Sequence, residues 1–407
     1  MSITISDKIS DSTIDSKWGI NNTNWDHPAY LALSQKRMNQ MMPVTYLEPV
    51  NVIPLTYAQT QLSLNTLVLT DPLTGNHMNS DDFLGRRLCN DALLVFHRGQ
   101  VVHESYRNGM AATDHHVLHS TTKSLTAMLI GIALDEEMLS PLADIATYIP
   151  ELKNIEAWSG VTVQHVMDMA TGIQYEEEYT NPNSSYFAYA RAVGYSPADI
   201  SAKIGHKAWM LQNMIARENP PGHRFHYTSP LTNILGMIIE AIYQRPFVEV
   251  LEEKIYQRIG AHSQAWFNTD GFGIAIAEGQ LSLTLQDFAR WAMLMINKGK
   301  NLNGEQIIPY AFIEDTIAIR ASSKQAFNKG ITASVYPNGQ YRNQFWIIEP
   351  ELKQYAMLGI HGQTVWYDQN EELMIIGFGS APDQISALFN ESWLQLNLKI
   401  LDAVKKR

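Results

Sequence analysis

A serine and a lysine three residues apart, Ser120 and Lys123, form the pair in this sequence whose types and spacing could support nucleophilic catalysis. An apolar run at residues 125–134 follows them, and we expect a helix from Ser120 to about residue 137. Because residues three apart lie on one face of a helix, the Lys123 amine can reach the Ser120 hydroxyl and take its proton. A lysine serves as a base only when its pKa falls below the ordinary value of about 10.4, and burial against the apolar run would lower it.

The position of Ser120 at the predicted start of this helix has two interpretations. Main-chain N–H groups at a helix N-terminus point toward developing negative charge, which is half of an oxyanion hole for attack on a carbonyl group. A serine before an apolar helix is, however, most often a simple N-cap. The pair alone leaves both interpretations open, and a catalytic role requires partners from other parts of the chain.

Composition narrows the classes of function. The chain has 407 residues, of which 45% are hydrophobic and 17% charged, so it has room for two or three domains with a large core. A formal net charge of −11 argues against a nucleic-acid partner or an anionic membrane surface and leaves small-molecule substrates. The single cysteine, Cys89, cannot form an internal disulfide and is typical of a packed thiol rather than a nucleophile.

The sequence predicts no targeting, membrane-spanning or metal-binding segment. The first residues lack a basic region followed by an apolar one, and no run approaches 18 apolar residues, so we expect a cytoplasmic protein without a membrane partner. His115 and His119 have a spacing that metal ligands use, but a third ligand would have to come from elsewhere. We therefore expect local packing roles for both histidines, no metal and no cofactor. A homodimer is compatible with the sequence.

The order of predicted elements places the Ser120 helix between two kinds of structure. Residues 92–97 and 101–106 flank Arg98-Gly99 and predict a hairpin, and the pattern from 142 to 298 is mostly helical. Short strands follow, and a closing amphipathic helix is predicted at 385–404. The strands are predicted at residues 344–348, 354–360, 363–367 and 373–378. The expected fold class is therefore α+β, an antiparallel sheet flanked by helices with a second, mostly helical domain.

The same order predicts the division into domains. We expect an N-terminal tail at residues 1–25, a discontinuous sheet domain at 26–140 and 305–407, and a mostly helical domain at 141–304. The active site would lie in the cleft between the two domains. Ser120 is placed where the chain first crosses toward the helical part.

A tyrosine and a second serine also bear on the site. Tyr227 follows a helix breaker at residues 219–222 and precedes an apolar-periodic helix at 231–243, so it lies in a loop at a helix entrance. Such a position suits a reactive side chain, although on residue type alone a tyrosine that fills the junction is the commoner case. Ser196 is a rival nucleophile, because residues 194–198 approach the Gly-x-Ser-x-Gly elbow of α/β-hydrolases. No strand is predicted before it and Pro197 would obstruct the tight turn, so we do not favour it.

Three spaced motifs together resemble the serine β-lactamase-like superfamily. They are Ser120-Thr121-Thr122-Lys123, Tyr227-Thr228-Ser229 and Gly359-Ile360-His361-Gly362-Gln363. The chain resembles the branch of class C β-lactamases and family VIII carboxylesterases, and most of all its nylon-oligomer (6-aminohexanoate-dimer) hydrolases, which also show Asp168-Met169 and the loop at 173–179. This resemblance covers about residues 90–400 and implies a β-lactamase/penicillin-binding-protein-like fold.

The resemblance implies a reaction through an acyl-enzyme. Ser120 would be the nucleophile, and Lys123 and Tyr227 would be the base and the acid, in an order that the sequence does not decide. The main-chain N–H groups of Ser120 and Ile360 would form the oxyanion hole. The sequence therefore assigns the reaction chemistry to three separated segments.

The same resemblance implies that Tyr179 and His361 bind substrate, and departures from the family pattern also concern the substrate. Residues 357–359 replace the Lys-Thr-Gly motif that binds the β-lactam carboxylate, and Ser229 replaces the asparagine of Tyr-x-Asn. The acid with which nylon-oligomer hydrolases hold the substrate's amino group has no counterpart at 182–190, where aromatic residues indicate a more apolar acyl or alcohol site. We therefore expect hydrolysis of a small-molecule ester or linear amide. The alternatives are a penicillin-binding-like sensor, a DD-peptidase or a β-lactamase with slow or no turnover.

Overall fold

The computed structural model describes residues 9–10, 19–21, 24–194 and 204–407, which form strands joined by helices. The strands are β1 Ile9–Ser10, β2 Val44–Leu47, β3 Val68–Thr70, β4 His77–Asn79, β5 Asn90–His97, β6 Gln100–Tyr106, β7 His115–Val117, β8 Ala265–Asn268, β9 Leu281–Thr284, β10 Gln340–Arg342, β11 Phe345–Glu349, β12 Gln354–Gly359, β13 Gln363–Asp368 and β14 Leu373–Gly379. The α-helices are α1 Leu31–Ser34, α2 Ser80–Arg86, α3 Thr121–Asp135, α4 Val163–Met167, α5 Ser185–Val193, α6 His206–Asn213, α7 Pro230–Tyr243, α8 Phe247–Leu251, α9 Leu285–Ile296, α10 Tyr310–Ile317, α11 Ala321–Asn328 and α12 Ala387–Val404. None of the helices within these ranges combines the length and the apolar character that crossing a bilayer requires.

The main sheet is antiparallel and has the strand order β10-β11-β12-β13-β14-β5-β6. Its hairpin β5–β6 turns at Arg98 and Gly99, as the sequence predicts. Leu94 of β5 pairs with Ile376 of β14, so early and late segments of the chain share one sheet. The predicted fold class, α+β with an antiparallel sheet flanked by helices, is confirmed.

Helices cover both faces of this sheet, which explains why its central strands are apolar at consecutive positions. In β5, Leu94 and Phe96 pack into one core, whereas Leu93 and Val95 pack into another. The first core also contains α3 and α9, and α12 covers the second. Every side chain of α3 from Thr121 to Ala133 is buried. This helix is therefore enclosed on all sides, with polar residues in its first turns and an apolar run after them.

A second sheet, with the order β1-β2-β8-β9-β7, leads directly into α3. His116 of β7 pairs with Leu283 of β9, so main-chain hydrogen bonds hold the segment before Ser120. The sequence pattern does not predict this sheet. Strands β8 and β9 lie within the segment 141–304, which is predicted to be mostly helical, and β1 lies within the predicted tail. Strands of two to four residues are too short to show a period, so the pattern does not reveal them. The domain boundaries stay a prediction.

Gly377 of β14 shows how closely α12 packs on the sheet. A Cβ atom at this position would lie 2.1 Å from Cη2 of Trp393 in α12. We expect Gly377→Ala to lower the free energy of unfolding by about 2 kcal/mol, because overpacking a core costs about 1–3 kcal/mol. Urea denaturation measures this change, and Gly85→Ala, which points into open space on α2, is the matched control. A Gly377→Ala protein as stable as the wild type would contradict this packing.

Candidate active site

Ser120 lies between β7 and α3, where an N-cap would be, but its side chain does not cap the helix. Its backbone is already helical, with φ −65° and ψ −9°, and its hydroxyl makes no capping hydrogen bond. The hydroxyl instead accepts a hydrogen bond from Nζ of Lys123 at 2.9 Å. A true N-cap has an extended backbone and directs its oxygen to the helix amides. The Ser120 hydroxyl is therefore available to react.

Lys123 is only 1% exposed, and two hydrogen bonds hold its amine. The amine donates to Oγ of Ser120 and to the main-chain oxygen of Glu278, the latter at 2.7 Å. Burial lowers the pKa of Lys123 to about 8, although the carboxylates of Glu177 and Glu278 act in the opposite direction. The burial that a basic lysine needs is thus present in the structure.

Tyr227, in the turn before α7, completes a group of three. Its phenol interacts with the side chain of Ser120, and its ring centroid lies 5.3 Å from Nζ of Lys123. The ring stacks on Trp346, with centroids 5.4 Å apart and planes 21° apart. Burial raises the pKa of Tyr227 well above its usual range, and the charge of Glu177 raises it further, so the phenol keeps its proton at neutral pH. The structure therefore brings together the three predicted catalytic side chains.

The predicted oxyanion hole lies where the end of β12 meets the start of α3. A Cβ atom on Gly359 would lie 2.9 Å from the Leu118 oxygen and 3.2 Å from the Ser120 amide nitrogen, so this close approach requires glycine. Ile360, the next residue, lines the same cleft as Ser120. Among the described residues, neither the Ser120 amide nor the Ile360 amide donates to a backbone carbonyl. Two such amides at one cleft could hold the negative oxygen of a tetrahedral intermediate.

The loop at residues 173–179 forms one wall of the cleft and is attached to the start of α7. Glu177 accepts hydrogen bonds from the Ser229 amide at 2.8 Å and from the hydroxyls of Ser229 and Tyr179. Tyr179 lines the cleft, and its ring packs edge-on against Tyr186 with centroids 4.6 Å apart. Ser229, at the family's asparagine position, thus binds a carboxylate of this protein.

Two residues that line the cleft, Glu278 and Trp25, are absent from the sequence predictions. Glu278 is buried and accepts a hydrogen bond from Asn233, while its Oε1 has no partner among the described residues. Burial raises the pKa of its carboxyl group. Glu278 is the one charged residue in the stretch 271–286, and this isolation could have marked it as a candidate site residue. Nothing in the sequence connects Trp25 with Ser120.

The cleft is partly open to solvent and presents both polar and aromatic groups. Its lining residues are Trp25, His119, Ser120, Lys123, Tyr179, Tyr186, Ser229, Glu278, Gly279, Gln280 and Ile360. His361, predicted to bind substrate, is not part of this lining, because its ring is buried against the Ala381 carbonyl, 2.8 Å from Nδ1. His115 and His119, whose spacing metal ligands also use, do not face a common point. The Nε2 atom of His115 hydrogen-bonds the Gln264 main-chain oxygen at 2.6 Å.

The rival nucleophile, Ser196, belongs to residues 195–203, which lie outside the described residues. Gly194 ends α5 with φ 96°, so a helix rather than a strand leads into that segment. A nucleophile elbow requires a strand before its serine. The described residues therefore do not support the α/β-hydrolase interpretation.

Comparisons with known proteins agree with this geometry. The 6-aminohexanoate-dimer hydrolase of Paenarthrobacter ureafaciens is 30% identical over 296 residues, which are 72% of this chain and 74% of that protein. A solved structure from Bacillus anthracis, provisionally described as a 6-aminohexanoate-dimer hydrolase, has a TM-score of 0.84 at 25% identity and covers 97% of this chain and 99% of its own. The resemblance inferred from the three motifs is confirmed.

More distant structures share the fold. A family VIII carboxylesterase is 15% identical, has a TM-score of 0.55 and covers 78% of this chain and 95% of its own. At that identity the likeness supports the architecture alone. The family model Beta-lactamase matches residues 82–383, from α2 through the end of the main sheet, and the chain therefore belongs to the Beta-lactamase family.

Proposed function

We propose that this hydrolase of the Beta-lactamase family cleaves a small ester or linear amide through an acyl-enzyme on Ser120. The observation that carries the proposal is the 2.9 Å hydrogen bond between the Ser120 hydroxyl and the buried amine of Lys123. A serine hydroxyl becomes an effective nucleophile when an adjacent base removes its proton. The Lys123 pKa of about 8 leaves part of the amine neutral at physiological pH, as that role requires.

The two candidates for the general base differ in pKa. Burial favours the neutral form of both groups, so it lowers the pKa of Lys123 and raises the pKa of Tyr227. A neutral amine is a base, whereas a neutral phenol is an acid. We therefore assign proton removal to Lys123 and proton donation to Tyr227.

These assignments give a complete reaction. In acylation, neutral Lys123 takes the Ser120 proton while the serine oxygen attacks the carbonyl carbon, and the amides of Ser120 and Ile360 hold the negative oxygen. Tyr227 donates its phenolic proton to the leaving alcohol or amine as the C–O or C–N bond breaks, and regains a proton from Lys123. In deacylation, water attacks the acyl ester and gives a proton to Lys123. The Ser120 oxygen regains a proton from Lys123 or Tyr227 as the acid leaves, and the Ser120 hydroxyl is restored.

The cleft favours an acyclic substrate with an apolar acyl group. The aromatic rings of Trp25, Tyr179 and Tyr186 line it, and residues 357–359 lack the lysine that would bind a β-lactam carboxylate. The two relatives described above as 6-aminohexanoate-dimer hydrolases are named for a linear amide. The buried carboxylate of Glu278 further disfavours a negatively charged substrate group next to it.

A substrate panel combined with active-site labelling tests this proposal. We expect hydrolysis of short-chain p-nitrophenyl esters or small linear amides and little hydrolysis of nitrocefin or D-amino-acid peptides. A fluorophosphonate probe should label the protein, and peptide mapping should place the label on Ser120. Labelling without turnover of any substrate would favour the sensor interpretation. A label on another serine would contradict the proposed mechanism.

The pH dependence of kcat/KM is expected to report the titration of Lys123. Because the amine must be neutral to accept a proton, kcat/KM should rise as the pH increases through about 8. The charge of Glu278 raises that pKa, so Glu278→Gln should move the midpoint to lower pH, by about 0.5–1 pH unit. A pH series with a p-nitrophenyl ester, corrected for spontaneous hydrolysis, measures the midpoint.

Glu176→Gln is the matched control for this pH series. Glu176 lies in the loop of the cleft wall but is exposed, so water screens its charge and the midpoint should not move. A midpoint that stays in place in Glu278→Gln as well would show that the titrating base is not Lys123.

A further inference from the structure

An oxyanion hole requires two donors at a fixed separation, and here the donors come from different elements. The Ser120 amide belongs to the turn between β7 and α3, whereas the Ile360 amide follows β12. Among the described residues, no main-chain hydrogen bond joins Ser120 to Ile360. The separation of the two amides therefore depends on how the two segments pack, through the close approach of the main chain at Gly359 and through the side chains around it.

Each donor is the chain neighbour of a histidine with a left-handed backbone. His119 precedes Ser120 and has φ 44°, and His361 follows Ile360 and has φ 60°. Histidine tolerates this region better than most residues, but the conformation is still strained and persists only where the surroundings enforce it. The two positive φ values indicate that packing fixes the peptide groups on both sides of the hole.

The two histidine rings lie against each other. Their centroids are 5.5 Å apart, and Trp25 stacks on His119 with centroids 5.9 Å apart and planes 23° apart. All three side chains are buried: Trp25 is 4% exposed, His119 3% and His361 1%. These three side chains are called the ring stack below.

Hydrogen bonds anchor both ends of the ring stack. His361 donates from Nδ1 to the Ala381 oxygen at 2.8 Å, and its amide donates to the Gln384 oxygen at 3.1 Å. At the other end, the Trp25 oxygen accepts a hydrogen bond from the Ser34 hydroxyl at 2.6 Å. Burial lowers the pKa of both histidines, to about 4 for His361, so the rings are neutral at physiological pH and do not repel each other.

We propose that the ring stack sets the separation of the two oxyanion donors, so that Trp25, His119 and His361 are positioning residues for the reaction proposed above. The inference rests on that proposed function. The stack connects the residue before one donor with the residue after the other, so a change in its packing changes the distance between the two amides. Trp25 lies outside the matched family region, residues 82–383, and the N-terminal segment thus contributes to the geometry of the site.

Removal of a ring is expected to lower kcat and to spare KM. The oxyanion forms only in the transition state, so a displaced donor weakens transition-state binding without weakening substrate binding. His361→Asn keeps a residue that tolerates positive φ but removes the ring. We expect it to lower kcat for a p-nitrophenyl ester by about 10–100-fold, with KM within about threefold, since loss of a whole donor costs about 100–1,000-fold. Affinity for a trifluoromethyl ketone, which binds serine as an oxyanion, should fall by the same factor as kcat.

Two variants of Trp25 keep the test decisive if His361→Asn does not fold. Trp25→Phe keeps an aromatic ring in the stack and is expected to retain kcat within about threefold, whereas Trp25→Leu removes the ring and should lower kcat about 10-fold. His116→Asn is the matched control, because His116 is buried in β7 and pairs with Asp91 outside the stack. It should lower the melting temperature and leave kcat unchanged.

The outcomes separate this inference from the function on which it rests. If the wild type hydrolyses esters and is labelled at Ser120, but folded His361→Asn and Trp25→Leu keep both kcat and ketone affinity, the ring stack has only a packing role and the inference is wrong. If the wild type neither hydrolyses any substrate nor takes the label, the proposed function itself is wrong, and the inference is overturned with it.

Discussion

Replacement of Ser120 by alanine is expected to lower kcat/KM for a p-nitrophenyl ester by about 10,000-fold or more. The variant loses the oxygen that forms the acyl-enzyme, and only the binding and electrostatic contribution of the cleft remains. The fold should be kept, because Lys123 retains its hydrogen bond to the main-chain oxygen of Glu278. An assay at micromolar enzyme concentration measures the residual rate, and fluorophosphonate labelling should disappear with the activity.

Ser124→Ala is the control within the same helix. Ser124 is buried one turn after Ser120 and donates to the Gln344 oxygen at 2.6 Å. Its loss should cost about 1–3 kcal/mol of stability, because a buried acceptor is left without its partner, and should leave kcat within about threefold. Turnover that survives in Ser120→Ala but is lost in Ser196→Ala would show that Ser196 is the nucleophile.

Lys123→Met is expected to give the second largest loss, about 1,000-fold in kcat/KM. Without the amine, the Ser120 hydroxyl has no adjacent base, and general-base catalysis contributes about 100–10,000-fold. Methionine has a similar length and is apolar, so it can occupy the buried site and remove the cost of burying a charge. Thermal denaturation should therefore show an intact fold. The rise in kcat/KM through about pH 8 should be absent from the residual activity.

Tyr227→Phe is the comparison that decides between the two bases. It removes the proposed acid and keeps the ring on Trp346, so kcat should fall while the rise near pH 8 persists. The reverse pattern, with the pH dependence kept in Lys123→Met and lost in Tyr227→Phe, would identify a tyrosinate base and contradict our assignment.

The local parts of this site follow from the sequence alone. Ser120 and Lys123 lie on one turn of one helix, so their spacing is sufficient to predict the contact. The hairpin β5–β6 and strands β11 to β14 follow from apolar runs bounded by turn residues. Tyr227 and Ile360 come from distant segments, and only the family resemblance connects them with Ser120.

Contacts that arise from tertiary packing do not follow from any local pattern. Glu278 reaches Lys123 across 155 residues of sequence, and Trp25 reaches the cleft through an N-terminal segment with no periodicity. The ring of His361 turns toward Ala381 rather than into the cleft. Its backbone has positive φ, which the residue type permits but does not require.

The pairing of β5 with β14 has a consequence for how this chain is synthesised. Leu94 and Ile376 are cross-strand partners, and the side chains on each face of β5 pack into an apolar core. A ribosome releases β5 long before β14 exists, so a strand edge and two apolar faces remain uncovered through most of translation. We therefore expect the nascent chain in that interval to be prone to aggregation and to bind chaperones. Because Ile360 also belongs to the late segment, we expect no hydrolysis by the nascent chain until nearly all of it has been made.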